Sequence, residues 1–101
     1  MSNLNSPVSK EDIAFLLVAA NLVVTARGCS AVHTGPGVYT VTLDSGNGVN
    51  ATQMDASLAM GSAGTVGRVG NTSDTVKVVS IDDTAGAPLD GDFSLSISRV
   101  A

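Results

Sequence analysis

The fold is decided by the segment FSLSISR, residues 93–99, near the end of the chain. Its apolar residues Phe93, Leu95 and Ile97 alternate with three serines. Successive side chains of a strand point to opposite faces, so one face of this segment is apolar and the other carries hydroxyl groups. A helix would spread the serines around its circumference. The segment therefore predicts a β-strand that lays one face on a hydrophobic core.

Earlier segments show a related pattern between turn residues. Residues 38–43 (VYTVTL) alternate in the same way and lie between two glycine-rich turns, and residues 53–60 also carry apolar side chains at alternate positions. Residues 75–81 (TVKVVSI) are apolar on both faces, which indicates a central strand or one that a partner covers. Residues 65–69 predict a weaker strand, in which Gly67 indicates a bulge or a close approach of backbone.

Residues 9–27 fit two structures. Ser9 with Asp12 three residues later resembles a helix N-cap with an acidic first turn. The apolar run at 13–24 (IAFLLVAANLVV) also fits two buried strands joined near Asn21. We favour the strands and keep a short helix as the alternative. The first eight residues, MSNLNSPV, hold only scattered apolar side chains, which is typical of an arm that orders against another surface.

Together these patterns predict one all-β domain. A chain of 101 residues is the size of a single domain, and its turn signals recur at the spacing of sandwiches and barrels. We expect a single antiparallel β-sandwich or Greek-key barrel of about seven strands over residues 13–101. Residues 1–12 are expected to form an extended N-terminal arm.

Charge and composition exclude several classes of function. The net charge is -4, and the five basic residues are scattered, which argues against a nucleic-acid or anionic-membrane partner. One cysteine, Cys29, and one histidine, His33, exclude an internal disulfide framework and the common zinc sites. The apolar run of residues 13–24 is shorter than the roughly 20 residues of a membrane-spanning helix. No basic segment precedes it, as a secretory signal would require. We expect no metal and no cofactor.

His33 is the first candidate for catalysis, with Ser30 or Cys29 as its nucleophile. Residues this close on an extended chain alternate between faces, so their spacing does not encode the contact that catalysis needs. We interpret His33 as a loop or interface residue and Cys29 as a small buried hydrophobic residue.

A second candidate is an acidic group around one loop, formed by Asp82, Asp83, Asp90 and Asp92. Such carboxylates could bind Ca²⁺ or act as a hydrolytic pair. The simpler interpretation is that they end strands and accept hydrogen bonds from turn backbone. On these grounds the chain is predicted not to be an enzyme.

The expected core is weak for a domain of this size. The chain has three aromatic residues, Phe15, Tyr39 and Phe93, and no tryptophan. Small domains without disulfides or metals often gain stability by oligomerising. The mean hydropathy of +0.31 also indicates more apolar surface than one core can hide. The chain is therefore predicted to be an obligate homo-oligomer.

Several segments carry a family resemblance. Residues 35–43 (GPGVYTVTL) resemble a segment of the small β-sandwich virion proteins of tailed bacteriophages, which include capsid decoration (cement) proteins, head fibres and tail-fibre tips. Residues 74–78, 82–90 and 92–97 resemble the strand, acidic turn and closing strand of the same proteins. The resemblance covers residues 13–100 and implies a homotrimer attached to a virion. The matching residues belong to the scaffold and assign no binding positions.

The short chain favours one member of that group. Fibre proteins usually carry such a module at the end of a long shaft, whereas here it is nearly the whole chain. The resemblance then implies a capsid decoration protein, made in the host cytoplasm and bound to the virion exterior. It would stabilise the shell by bridging subunits of the major capsid protein. The expected capsid contacts lie in the arm: Asn3, Leu4, Asn5, Pro7 and Val8.

Two other functions remain open at this point. A receptor- or glycan-binding head module of a fibre or baseplate would use loops such as residues 45–50 and 62–71. A small hydrolase acting through Asp82 and Asp90 lacks an evident nucleophile, base and pocket.

Overall fold

Eight antiparallel strands dominate residues 10–100, the part of the chain that the computed structural model describes. In chain order they are β1 (Lys10–Ala19), β2 (Leu22–Arg27), β3 (Cys29–Gly35), β4 (Val38–Leu43), β5 (Met54–Met60), β6 (Thr65–Asn71), β7 (Val76–Asp83) and β8 (Phe93–Val100). The prediction of an all-β sandwich is confirmed. The strand that the sequence pattern did not reveal is β3, because its inward-facing residues Cys29 and Ala31 are too small to mark an apolar face.

The strands form two four-stranded sheets that pack face to face. The first sheet has the order β2-β1-β8-β5, and the second has the order β3-β4-β7-β6. Strands β2 and β3 therefore lie at one open edge of the sandwich, and β5 and β6 lie at the other. As predicted, β7 is a central strand, between β4 and β6.

The core consists of the inward-facing residues of both sheets. The alternating residues of β4 and β8 are buried as predicted, with Tyr39 packed edge-on against Phe93 at a ring-centroid distance of 5.1 Å. The predicted apolar face of β5 packs against the same core while staying half-buried. The core is thus built mainly from aliphatic side chains around one aromatic pair.

The ambiguous N-terminal region forms two strands, and the helix alternative is wrong. Strands β1 and β2 are joined by a tight turn at Ala20 and Asn21, both with positive φ (51° and 65°). Two such residues in succession match the two-residue hairpin turn whose twist suits neighbouring strands. Lys10 already pairs with Val100, so the last three residues of the predicted arm belong to β1. Residues 1–9 lie outside the described residues.

Two glycines permit close approaches that shape the sandwich. Gly28 turns the chain from the first sheet into the second with φ +71°, and a Cβ there would lie 2.1 Å from the carbonyl oxygen of Ile13. Gly67 sits at the opposite edge, where a Cβ would lie 2.7 Å from Leu58 and from Met60. The register of β6 against β7 is continuous through Gly67, so the predicted bulge is absent, and the atoms that approach Gly67 belong to side chains of β5 and not to backbone.

Candidate functional site

The sandwich has two chemically different ends. The turn end is defined by residues 20–21, 35–37, 61–64 and 84–92. There Asp92 links two of the other connections. Its carboxylate accepts the Ala20 N–H at 2.9 Å, and its own N–H donates to Ser62 Oγ at 2.9 Å. The terminal end, defined by Lys10, Val100 and residues 44–53 and 72–75, is closed by backbone hydrogen bonds between these segments.

The predicted capsid contacts cannot be placed. Asn3, Leu4, Asn5, Pro7 and Val8 all precede Lys10 and lie outside the described residues. Lys10 itself is at the terminal end, so the segment that precedes it is attached there.

His33 belongs to a polar cluster at the turn end. Its ring stacks on Tyr39 at 4.6 Å, and its Nε2 lies 2.9 Å from Asp90 Oδ1. The same oxygen accepts the Gly37 N–H at 2.6 Å, while the Tyr39 hydroxyl donates to Asn21 Oδ1 at 3.0 Å. The Gly37 N–H above all, together with the bond to His33, holds the pKa of Asp90 below its usual range. The cluster fastens three connections to one another.

The structure does not bring a nucleophile to His33. His33 lies in β3, paired with Tyr39, so its predicted place in a loop is wrong, while its predicted role at an interface stays a prediction. Ser30 faces the opposite side of the strand because of the side-chain alternation. Cys29 is buried at the far end of β3, where its thiol contacts the Phe15 carbonyl at 3.7 Å, and burial raises the pKa of that thiol.

The four aspartates of the acidic loop each have a different partner. Asp83 Oδ1 accepts the N–H groups of Ala85 and Ala87 at 2.8 and 2.9 Å, and these bonds lower its pKa. Asp82 pairs with Arg68 at 2.8 Å, while Asp90 and Asp92 hold the turn end together. Among residues 10–100 no group of three or more His, Cys, Asp or Glu side chains is arranged to hold a metal ion. The structure supports the interpretation of these residues as turn-stabilising groups.

Lys77 is a buried residue that the sequence analysis treated only as one of the scattered charges. Its side chain is 0% exposed at the terminal end of β7. The Nζ atom donates to the carbonyl oxygens of Val49 (2.6 Å) and Ser73 (2.7 Å) and to Asn71 Oδ1. Burial lowers the pKa of this amine, and the charge of Asp74 opposes the effect. The sequence pattern that could have predicted this burial is the position of Lys77 among the inward-facing residues of an otherwise apolar strand.

An apolar surface lies along the open edge formed by β2 and β3. We call it the edge patch and define it by Leu22, Val23, Val24 and Val32. Leu22 is 69% exposed, Val24 59% and Val32 62%. The register of β2 shifts against β1 at this point, so that Val24 is the extra residue of a β-bulge. Exposed large aliphatic side chains on two neighbouring edge strands make this edge a candidate interaction site.

Two small-ligand sites are less well formed. A shallow groove of about 200 Å³ lies beside Phe15 of β1, where the guanidinium of Arg27 lies 5.3 Å from the centre of the Phe15 ring. This volume is below that of most ligand pockets, which hold roughly 300–1,000 Å³. The two segments proposed for glycan binding do not form one loop surface, because residues 65–71 form β6 and Ser62 lies at the opposite end from residues 45–50. They approach each other at Val49 and Asn71, which both accept hydrogen bonds from Lys77.

Comparison with known proteins adds no relative. No family model, curated protein or solved structure matches this chain. Within residues 10–100 there is also no helix that is long and apolar enough to span a membrane. A function for this chain is therefore inferred from the exposed surfaces of the sandwich.

Proposed function

We propose that this chain is a structural virion protein that assembles into a homo-oligomer, a trimer by resemblance, and decorates a bacteriophage capsid. The observation that carries the assembly is the edge patch: four aliphatic side chains lie uncovered on adjacent edge strands of a domain with a small core. Burying such side chains against another copy is favourable by the hydrophobic effect.

A second copy is the partner that fits the patch best. The chain carries a net charge of -4, yet β2 contains no carboxylate and its only charged residue is Arg27 at one end. Copies of an acidic chain can therefore meet at this edge without like-charge repulsion. Three copies that turn this edge toward a common axis would cover the patch and leave the acidic turn end facing solvent.

The capsid role is supported by the resemblance in residues 13–100 and by the position of Lys10, the first described residue. Lys10 lies at the terminal end, so an oligomer with parallel copies would present the first residues of its β1 strands on one side. Each copy would bind a subunit of the major capsid protein. A ligand that binds only the assembled shell stabilises that shell by mass action.

Cosedimentation tests the capsid role directly. Shells assembled from the major capsid protein of the same genome are mixed with the purified chain and with a variant that lacks residues 1–8. We expect the intact chain to pellet with the shells and to raise their melting temperature. The truncated variant should stay in the supernatant while keeping the circular dichroism and solution mass of the full oligomer.

A truncated variant that still occupies the shells would overturn the role of the arm. Failure of the intact chain to bind would overturn the capsid role itself. Binding of the purified oligomer to a defined sugar on a glycan array would instead support the receptor-binding alternative, because decoration requires no glycan.

A further inference from the structure

Lys77 and Asn71 form a cross-strand pair at the terminal end of β6 and β7, in which Lys77 is buried and Asn71 is exposed. They are directly opposite each other in the register of β6 and β7, and the neighbouring pair Val69 and Val79 faces inward. Residues opposite in an antiparallel pair share one face of the sheet. The Lys77 amine is thereby held against the Asn71 carboxamide, with two backbone carbonyls completing its contacts.

The hydrogen-bond partners of this lysine are unusual. Buried lysines are generally paired with carboxylates, because a buried ammonium is costly without a counter-charge. Here the three acceptors of Nζ are a carboxamide oxygen and two peptide carbonyl oxygens, all of them neutral. Three donated hydrogen bonds describe the ammonium form, but burial among neutral groups lowers its pKa. The amine that forms when one of these protons is lost is a nucleophile.

We propose that Lys77 and Asn71 join in an intramolecular isopeptide bond. The Lys77 Nζ attacks the Asn71 Cγ, the new Nζ–Cγ bond forms, and the Cγ–Nδ2 bond breaks. One proton passes from Nζ to Nδ2, which leaves as ammonia. A primary amine and a primary carboxamide thus become a secondary amide plus ammonia, with no oxidant, reductant or cofactor.

Three features favour this step: the closeness of the electrophilic carbon to Nζ, a path to solvent for ammonia, and a nearby carboxylate for the proton. The electrophilic Cγ is one carbonyl bond from the oxygen that Nζ already contacts, close to the roughly 3–3.5 Å from which bond formation begins. Asn71 is itself exposed, so ammonia has a path to solvent. Asp74, in the turn between the two strands, is near enough for its charge to act on Lys77, and its carboxylate is the group to which we assign the proton relay.

Intact mass spectrometry of the full-length purified chain tests the bond. We expect the measured mass to fall short of the sequence mass by one ammonia. Trypsin cuts after unmodified lysine, so the cross-linked chain should yield residues 69–99 as one peptide with that loss. The Asn71→Ala variant should have the mass calculated from its own sequence, with no loss of ammonia. Its digest should contain this region as two peptides, residues 69–77 and 78–99.

The digest also separates the bond from other losses of ammonia. A succinimide at Asn47-Gly48 would place the loss in residues 28–68, and one at Asn71 would leave cleavage after Lys77 intact. Either location, or a wild-type chain of full mass, would overturn the proposal. Because the mass and the digest of the wild-type chain together decide the question, the result does not depend on the folding of Asn71→Ala. It is also independent of capsid binding.

Discussion

At the scale of single residues, carboxylates at the turn end hold the connections in place. Asp83 accepts two N–H groups of its own turn, and Asp90 joins the β3–β4 turn to the loop before β8. Both pKa values are lowered from the ordinary 3.8 by these hydrogen bonds. The ionised carboxylates are therefore favoured by folding.

This linkage predicts a loss of stability in acid. A lowered pKa in the folded state means that the unfolded chain binds protons more readily, so the stabilisation is present above pH 3.8 and is lost as the pH falls through the folded values. Urea unfolding measured from neutral to acidic pH should show this decline. Asp83→Asn and Asp90→Asn should flatten it, and Asp44→Asn controls for the loss of one negative charge. Parallel pH profiles for all four proteins would contradict the prediction.

At the scale of elements, the two glycines predict different costs for the same added methyl group. Gly28→Ala places a Cβ against the backbone carbonyl of Ile13 and forces alanine into positive φ, so we expect a loss on the order of 2–3 kcal/mol. Gly67→Ala meets only the flexible ends of Leu58 and Met60 and should cost about 1 kcal/mol or less. Urea unfolding with unchanged m-values checks both. Equal losses would mean that the corner between the sheets tolerates a Cβ.

At the scale of the whole molecule, the edge patch predicts the state of assembly. Light scattering across a dilution series should give a mass that does not depend on concentration and corresponds to an oligomer. The resemblance predicts three copies in this oligomer. The double variant Val24→Lys/Val32→Lys should lower this mass to that of one chain, because it buries charge in the contact.

A matched variant at the opposite edge is the control for that measurement. Val66 lies on β6 and is 51% exposed, so Val66→Lys adds the same charge to a similar side chain outside the patch. We expect this variant to keep the wild-type mass. A monomeric wild type, or dissociation caused by Val66→Lys, would mean that the patch is not the assembly surface.

The candidate surfaces were less predictable than the fold, for a physical reason that His33 illustrates. Its partner Asp90 is 57 residues away along the chain, and nothing local in either segment encodes their contact. The edge patch has the same origin, since the placing of β2 and β3 at the ends of their sheets follows from pairing between distant strands. Lys77 likewise resembles a surface charge in the sequence, because its contacts with Val49 and Asn71 arise only when the loop at Val49 and strand β6 pack beside it.

The sequence by itself determined the all-β class and the inward faces of β4, β5 and β8. These features depend on alternation with period two and on turn residues, which act over a few positions of the chain. Only the tertiary structure decided the strand β3, the order of strands in each sheet and the burial of Lys77. Those depend on contacts between distant segments, where the gain from packing outweighs local preference.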